Sequence, residues 1–149
     1  MAAPFVQRLR VRYAECDRQG IVFNAHYLAY FDLMITELWR AAFGSYDAMV
    51  SRGVDVVVAD ARVRYRRPAR FDDEIDVAIV IAEIGEASLS SSYEVRRDGD
   101  LLAEGETRHV FVDAGTLAKA STPDWARAAL APWVGELGSE SAQPLVERQ

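Results

Sequence analysis

The sequence predicts an α+β domain in which a curled antiparallel β-sheet wraps around one long central helix. Three observations carry that expectation. One apolar stripe at steps of three and four residues runs from residue 26 to residue 43. Four runs with a period of two follow it, and the turns joining the last three are short. A lone helix with a sheet on one side buries itself most simply when the sheet curls around it.

Taken in order, Leu9, Val11 and Tyr13 alternate with Arg10 and Arg12, which predicts a first strand over residues 9–13. A loop containing Gly20 comes next. Leu28, Phe31, Ile35, Leu38 and Ala42 then define the helix, and Tyr27, Met34 and Trp39 widen its stripe until most of its surface must be covered. Gly44 is placed to end it. Val54, Val56 and Val58 open the second strand, which Pro68 stops. Ile75, Val77, Ile79 and Ile81 form the third, and Leu89, Tyr93 and Val95 share one face of the fourth. Gly85-Glu86 turns between those two. Asp98-Gly99 is a two-residue hairpin turn leading to the fifth strand, residues 102–112. The expected topology is a meander following the helix. An amphipathic stretch over residues 125–133 reads as a terminal helix. Residues 1–134 are expected to form one domain, and 135–149 a polar, frayed tail.

Composition excludes several classes of function. With a net charge of −6 and 27% charged residues, the chain lacks the basic face that nucleic-acid binding needs to displace counterions. The single cysteine, Cys16, can form no internal disulfide and has no metal-ligand spacing around it. No signal peptide and no run near the ~20 apolar residues of a membrane span are evident. A cytoplasmic protein without integral membrane association is expected, and no metal or other cofactor is implied.

The informative segment is residues 13–32, YAECDRQGIVFNAHYLAYFD. It sets Asp17 on a glycine-containing loop directly before the N-terminus of a buried helix. Free backbone N–H groups and the helix dipole favour an oxyanion there. A carboxylate beside such a site is the minimum for hydrolysing an activated acyl group, by direct attack or by deprotonating a water. Asn24 suits two roles: its side chain can cap the helix while its N–H joins the oxyanion site. Cys16 and Asp17 would point to opposite faces of an extended chain, so only one can face a substrate.

The segment resembles the signature of the hotdog-fold 4-hydroxybenzoyl-CoA thioesterases and the tol-pal-associated acyl-CoA thioesterases. That signature is an aspartate, two variable residues, glycine, two aliphatics, an aromatic, and a helix entered through a tyrosine. Asp17, Gly20, Ile21, Val22, Phe23 and Tyr27 fit it. Arg64-Tyr65-Arg66-Arg67-Pro68-Ala69 with Asp72-Asp73-Glu74, Leu101 through Gly105, Val110 through Asp113, and Lys119 near Pro123 extend the likeness to about residue 130. Relatives often carry histidine or tyrosine where this chain has Asn24, and asparagine where it has His26.

The resemblance implies an acyl-CoA thioesterase with Asp17 as nucleophile or general base and the Asn24 N–H polarising the thioester carbonyl. Gly20, Phe23, His26 and Tyr27 would meet substrate. The pantetheine arm would run along the strands past Ser90, with Ser88, Ser91 and Ser92 as neighbours. The nucleotide phosphates would meet arginines, among which Arg64 and Arg66 lead Arg67, Arg70, Arg96 and Arg97. His26 and His109 read as structural, while Glu37 either matches an acidic residue that some thioesterases carry on the central helix or forms a surface or interfacial salt bridge. An exposed sheet edge implies a homodimer or homotetramer. Two competing functions are a hotdog-fold dehydratase or hydratase acting on an acyl thioester, and a non-catalytic acyl-CoA-binding module.

Overall fold

A computed structural model of the chain describes residues 4–138. It contains the strands β1 (Phe5–Arg10), β2 (Val54–Tyr65), β3 (Glu74–Ile84), β4 (Ser88–Arg97) and β5 (Asp100–Asp113), and the helices α1 (His26–Phe43), α2 (Tyr46–Val50) and α3 (Asp124–Leu130). The strands make one antiparallel sheet in the order β1-β3-β4-β5-β2.

The inward face of that sheet covers α1. Ile75, Val77, Ile79 and Ile81 of β3, Leu89, Tyr93 and Val95 of β4, and Ala103 and Phe111 of β5 pack with Tyr27, Tyr30, Phe31, Met34, Ile35, Leu38 and Trp39. Phe31 stacks on Tyr93 at 4.2 Å between ring centres. Gly105 opens the sheet for that ring: a Cβ there would land on Phe31 and on the Arg62 carbonyl oxygen. The α1 boundaries agree with the expected helix, and Gly44, at φ +91°, ends it. Asp98 and Gly99, both at positive φ, make the β4–β5 hairpin turn that the dipeptide predicts.

Three expectations are corrected. The first strand is Phe5–Arg10 rather than residues 9–13, because its partner β3 begins at Glu74, opposite Arg10. Beyond it the chain turns into a short 3₁₀ segment, Tyr13–Glu15, tied by Glu15 Oε1 accepting from the Arg12 N–H at 2.9 Å. The sheet is not a simple meander either. Only β3, β4 and β5 follow one another, while β2 pairs with β5 at the far edge. The Arg66 and Arg67 N–H groups both reach the Leu102 carbonyl, at 2.7 and 2.9 Å, and fasten the chain there before it crosses to β3. Leu28, expected inside, is 41% exposed, because it faces the β2 edge where no further strand covers it.

An irregularity between Val58 and Asp60 changes the phase of β2. Val58 and Ala61 therefore both face α1, with Val63 packed against the core and the Tyr65 ring against Tyr27. At the other end, α3 closes the core through Trp125 against Phe43 and through Ala126 and Leu130. α2 has no counterpart in the sequence reading; Ser45 caps it by accepting from the Ala48 N–H. Of the predicted tail, Gly135 still donates to Ile81, and residues 139–149 lie outside the described residues. No helix among the described residues is long and apolar enough to cross a membrane.

Candidate active site

The loop from Cys16 to Val22 is held on both sides. The Asp17 N–H donates to the Ile21 carbonyl at 2.8 Å and the Gly20 N–H to the Asp17 carbonyl at 3.0 Å, with Gly20 at φ +77° completing the turn. Val22 N–H donates to Ala69 at 2.8 Å, Phe71 N–H to Gly20 at 3.2 Å, and Phe23 N–H to Glu15 at 3.0 Å. This stitching fixes the Asp17 carboxylate. Its Oδ1 accepts from the Gln19 N–H at 2.7 Å, and Oδ2 has no hydrogen-bond partner among the described residues. Cys16 packs against the core, with its thiol toward the Arg12 carbonyl. Burial, then the neighbouring carboxylates, raises that thiol's pKa, which makes it a poor nucleophile.

Asn24 does not cap α1. The cap position is Ala25, in helical conformation, and no side chain caps it. The expected Asn24 side-chain cap is therefore absent, because the chain is already helical one residue after Asn24. That leaves the helix N-terminus open: neither the Asn24 nor the Ala25 N–H has an acceptor among the described residues. Two bonds orient these peptides. The Phe23 carbonyl accepts from the His26 N–H at 2.8 Å, and the Asn24 carbonyl accepts from the Tyr65 hydroxyl at 2.8 Å. In a planar trans peptide the N–H points opposite to the carbonyl, so both bonds turn the free N–H groups out of the helix end.

Asp17 and Asn24 line one cavity of ≈ 320 Å³, together with Gln19, Ile21, Val22, Tyr27, Tyr65, Arg66, Arg67 and Pro68. Burial raises the pKa of Tyr27 and of Tyr65, which keeps both phenols neutral hydrogen-bonding groups. Of the other candidates, Gly20 shapes the loop and Phe23 is half-exposed beside it. Arg66 Nη2 is held by Glu104 at 3.0 Å, and Arg64 lies on β2 between Glu104 and Glu106, each at 3.8 Å. Ser90 lies between the inward residues Leu89 and Ser91, on the opposite face of β4 from α1, and does not line this cavity. Glu37 is paired with Arg40. Sequence reasoning passed over Gln19 and the role of Tyr65, because only the fold brings β2 against the start of α1.

His26 faces elsewhere. Its ring lies edge-on to Tyr30 at 5.0 Å, with Nε2 3.6 Å from Glu15, in a separate hollow of ≈ 420 Å³ that includes Arg12 and Leu33. Glu15 is 6% exposed. Burial works to raise its pKa, but hydrogen bonds from the Arg12 N–H, the Arg12 guanidinium and the Tyr30 hydroxyl outweigh it, and the net shift is downward. His26→Asn is accordingly expected to cost less than ~10-fold in turnover, about 1.4 kcal/mol. A folded variant that loses 100-fold or more would make His26 part of the chemistry.

A curled antiparallel sheet around one long helix is the arrangement of the hotdog fold. Residues 11–130 match the Thioesterase-like superfamily, and the chain belongs to that family of thioester hydrolases. It is 33% identical over 106 residues to the acyl-CoA thioester hydrolase YbgC of Escherichia coli O157:H7, covering 70% of this chain and 79% of that one. Over 121 residues it is 26% identical to the 1,4-dihydroxy-2-naphthoyl-CoA hydrolase of Nostoc punctiforme, covering 80% and 82%. The crystal structure of protein TT1821 from Thermus thermophilus superimposes with a TM-score of 0.81 at 32% identity, over 90% of this chain and all of that one.

Proposed function

We propose that this chain is a cytoplasmic acyl-CoA thioesterase, formed by a single domain over residues 1–134, in which Asp17 acts on a thioester carbonyl held at the N-terminus of α1. The observation that carries the reading is that Asp17, with one carboxylate oxygen unpartnered among the described residues, and Asn24, whose N–H is free among them, line the same cavity. The carbonyl oxygen would accept from the Asn24 N–H, whose fixed orientation stabilises charge as it develops. In the general-base route, Asp17 takes a proton from water as the water oxygen bonds to the carbonyl carbon. The tetrahedral intermediate then collapses, the C–S bond breaks, and the departing thiolate receives the proton from Asp17. In the nucleophilic route, Asp17 forms a mixed anhydride with loss of the thiolate, and water hydrolyses it. A single turnover in ¹⁸O-labelled water separates them, since only the second can leave label in the Asp17 carboxylate.

Thiol release from a panel of acyl-CoAs tests the activity, and no release from any member would remove it. A dehydratase or hydratase would instead change absorbance at the acyl chain without releasing thiol. A binding module would do neither. Gly20, Phe23, Tyr27 and Arg66 are proposed as substrate contacts, with Arg64 and Ser90 left to the outer path of the coenzyme.

The active unit is proposed to be a homodimer or homotetramer. β2 is an edge strand with exposed Val57 and Val58, at 40% and 56%, and an unpaired edge of this kind pairs readily with another copy. Light scattering on active enzyme is expected to give at least twice the 16.6 kDa chain mass. A fully active monomer would contradict it.

A further inference from the structure

Glu15 is a buried carboxylate that the proposed chemistry does not use. It is 6% exposed and stays ionised, because three donors converge on it. The Arg12 N–H and the Tyr30 hydroxyl reach Oε1, each at 2.9 Å, and Arg12 Nε reaches Oε2 at 2.9 Å. Taking a carboxylate out of water costs free energy that only such bonds offset, so its place here calls for a reason beyond the short 3₁₀ turn it closes. Tyr30 supplies one. It is 3% exposed and lies one helical turn past His26. Helical side chains lean toward the N-terminus, so its hydroxyl reaches back to the level of the loop. Burial, and then the bond to Glu15, raises its pKa, so the phenol stays protonated and donates.

Two arms lead from Glu15 to the candidate site. Along the chain, Asp17 follows two residues later. Across the loop, the Glu15 carbonyl accepts from the Phe23 N–H at 3.0 Å, and the next residue is Asn24, with its free N–H. Cys16 and Val22 pair between the arms. Bonds within the loop fix each arm against the other, and the Tyr30 bond fixes both against α1. We propose that Glu15 is a positioning residue, which through Tyr30 holds the Asp17 carboxylate and the Asn24 N–H at one spacing and so acts on the chemical step rather than on substrate binding. The inference rests on the thioesterase reading for its chemistry. Glu15 lines the hollow of His26 and not the Asp17 cavity, so its effect on the reaction passes through the loop. What the clamp sets is the distance between the acid and a carbonyl whose oxygen is held at Asn24, and an error of about 1 Å in such a distance can cost ~100-fold in rate. Bonds to an ionised acceptor are shorter and stronger than neutral ones, which suits a stiff anchor.

Tyr30→Phe removes the hydroxyl and keeps the ring in the core. On the fastest of acetyl-CoA, hexanoyl-CoA and benzoyl-CoA, it is expected to lower kcat per folded protein at least ~10-fold while KM stays within ~2-fold. Placing 4-aminophenylalanine at position 30 returns a donor to the same point and should bring kcat back to within ~3-fold of wild type. Glu15→Gln should lose at least as much as Tyr30→Phe, and the double variant no more than ~3-fold beyond Glu15→Gln alone, because the two side chains act as one unit. A purely structural role would lower the folding midpoint and leave kcat per folded protein unchanged. That result, a loss carried by KM, no rescue by the amine, or losses that multiply would each overturn the proposal. A second measurement needs no turnover. Amide exchange at Asp17 and Phe23 is expected to quicken at least ~10-fold in Tyr30→Phe, with Ile79 and Tyr93 in the sheet within ~2-fold of wild type. Unchanged exchange, or a uniform rise, overturns the proposal. If those two amides quicken while no acyl-CoA releases thiol, the clamp stands and the thioesterase reading falls.

Discussion

Asp17→Asn is expected to lower kcat at least ~100-fold, about 2.7 kcal/mol of transition-state stabilisation, with KM little changed. The substitution is close to isosteric, and an asparagine oxygen can still accept from the Gln19 N–H, so the loop geometry survives. What it removes is the negative charge on the oxygen that faces the cavity, and with it both the basicity needed to activate water and the nucleophilicity needed to attack. Substrate binding draws on the rest of the cavity wall and should persist. Steady-state thiol release checks the outcome. A variant retaining more than a tenth of wild-type turnover would take Asp17 out of the chemistry and leave the open helix end as the main catalytic feature.

Phe31→Ala is expected to cost ~3–5 kcal/mol of folding stability, the range for removing a large aromatic from a core. Phe31 is 1% exposed, stacked on Tyr93, and seated where Gly105 leaves room. Collapse of the sheet into the gap is resisted because β5 is paired on both sides, with β4 and with β2. At roughly 2–4 °C per kcal/mol for a domain of this length, the midpoint should fall by roughly 6–20 °C. Phe31→Leu, which refills most of the space, should lose less than half as much. Urea denaturation of the three proteins would decide, and a loss below ~1 kcal/mol for the alanine variant would show that the site tolerates the void.

The helix, the hairpin turn and the placement of Asp17 ahead of α1 were legible in the sequence because each is a local signal: a 3.6-residue stripe, an Asp-Gly pair, a carboxylate near a glycine. The topology was not. Nothing in residues 54–65 marks them as partners of β5 rather than of β3, since both pairings bury the same valines. The Asn24 cap failed for a smaller reason: α1 starts at His26, so its cap position falls on Ala25 and not on Asn24. Tyr65 was invisible as a residue of the candidate site because its place there depends on what β2 faces once the sheet has curled.

The position of β2 has a kinetic consequence. β3, β4 and β5 are joined by short turns and can pair soon after they are made. β2 precedes them in the chain, yet its only strand partner among the described residues is β5, so each of its pairs must close a loop containing the whole β3–β4 hairpin. Loop closure of that kind delays pairing in folding, even where it costs little at equilibrium. β2 should therefore dock late, leaving the β5 edge bare in the species that precede it. Amide exchange pulsed during refolding should protect β4 and the Asp98-Gly99 hairpin before Val56 and Val63. Because Tyr65 arrives with β2, the peptide at the start of α1 would gain its anchoring hydroxyl only in that final step, so catalytic competence would lag behind burial of the core.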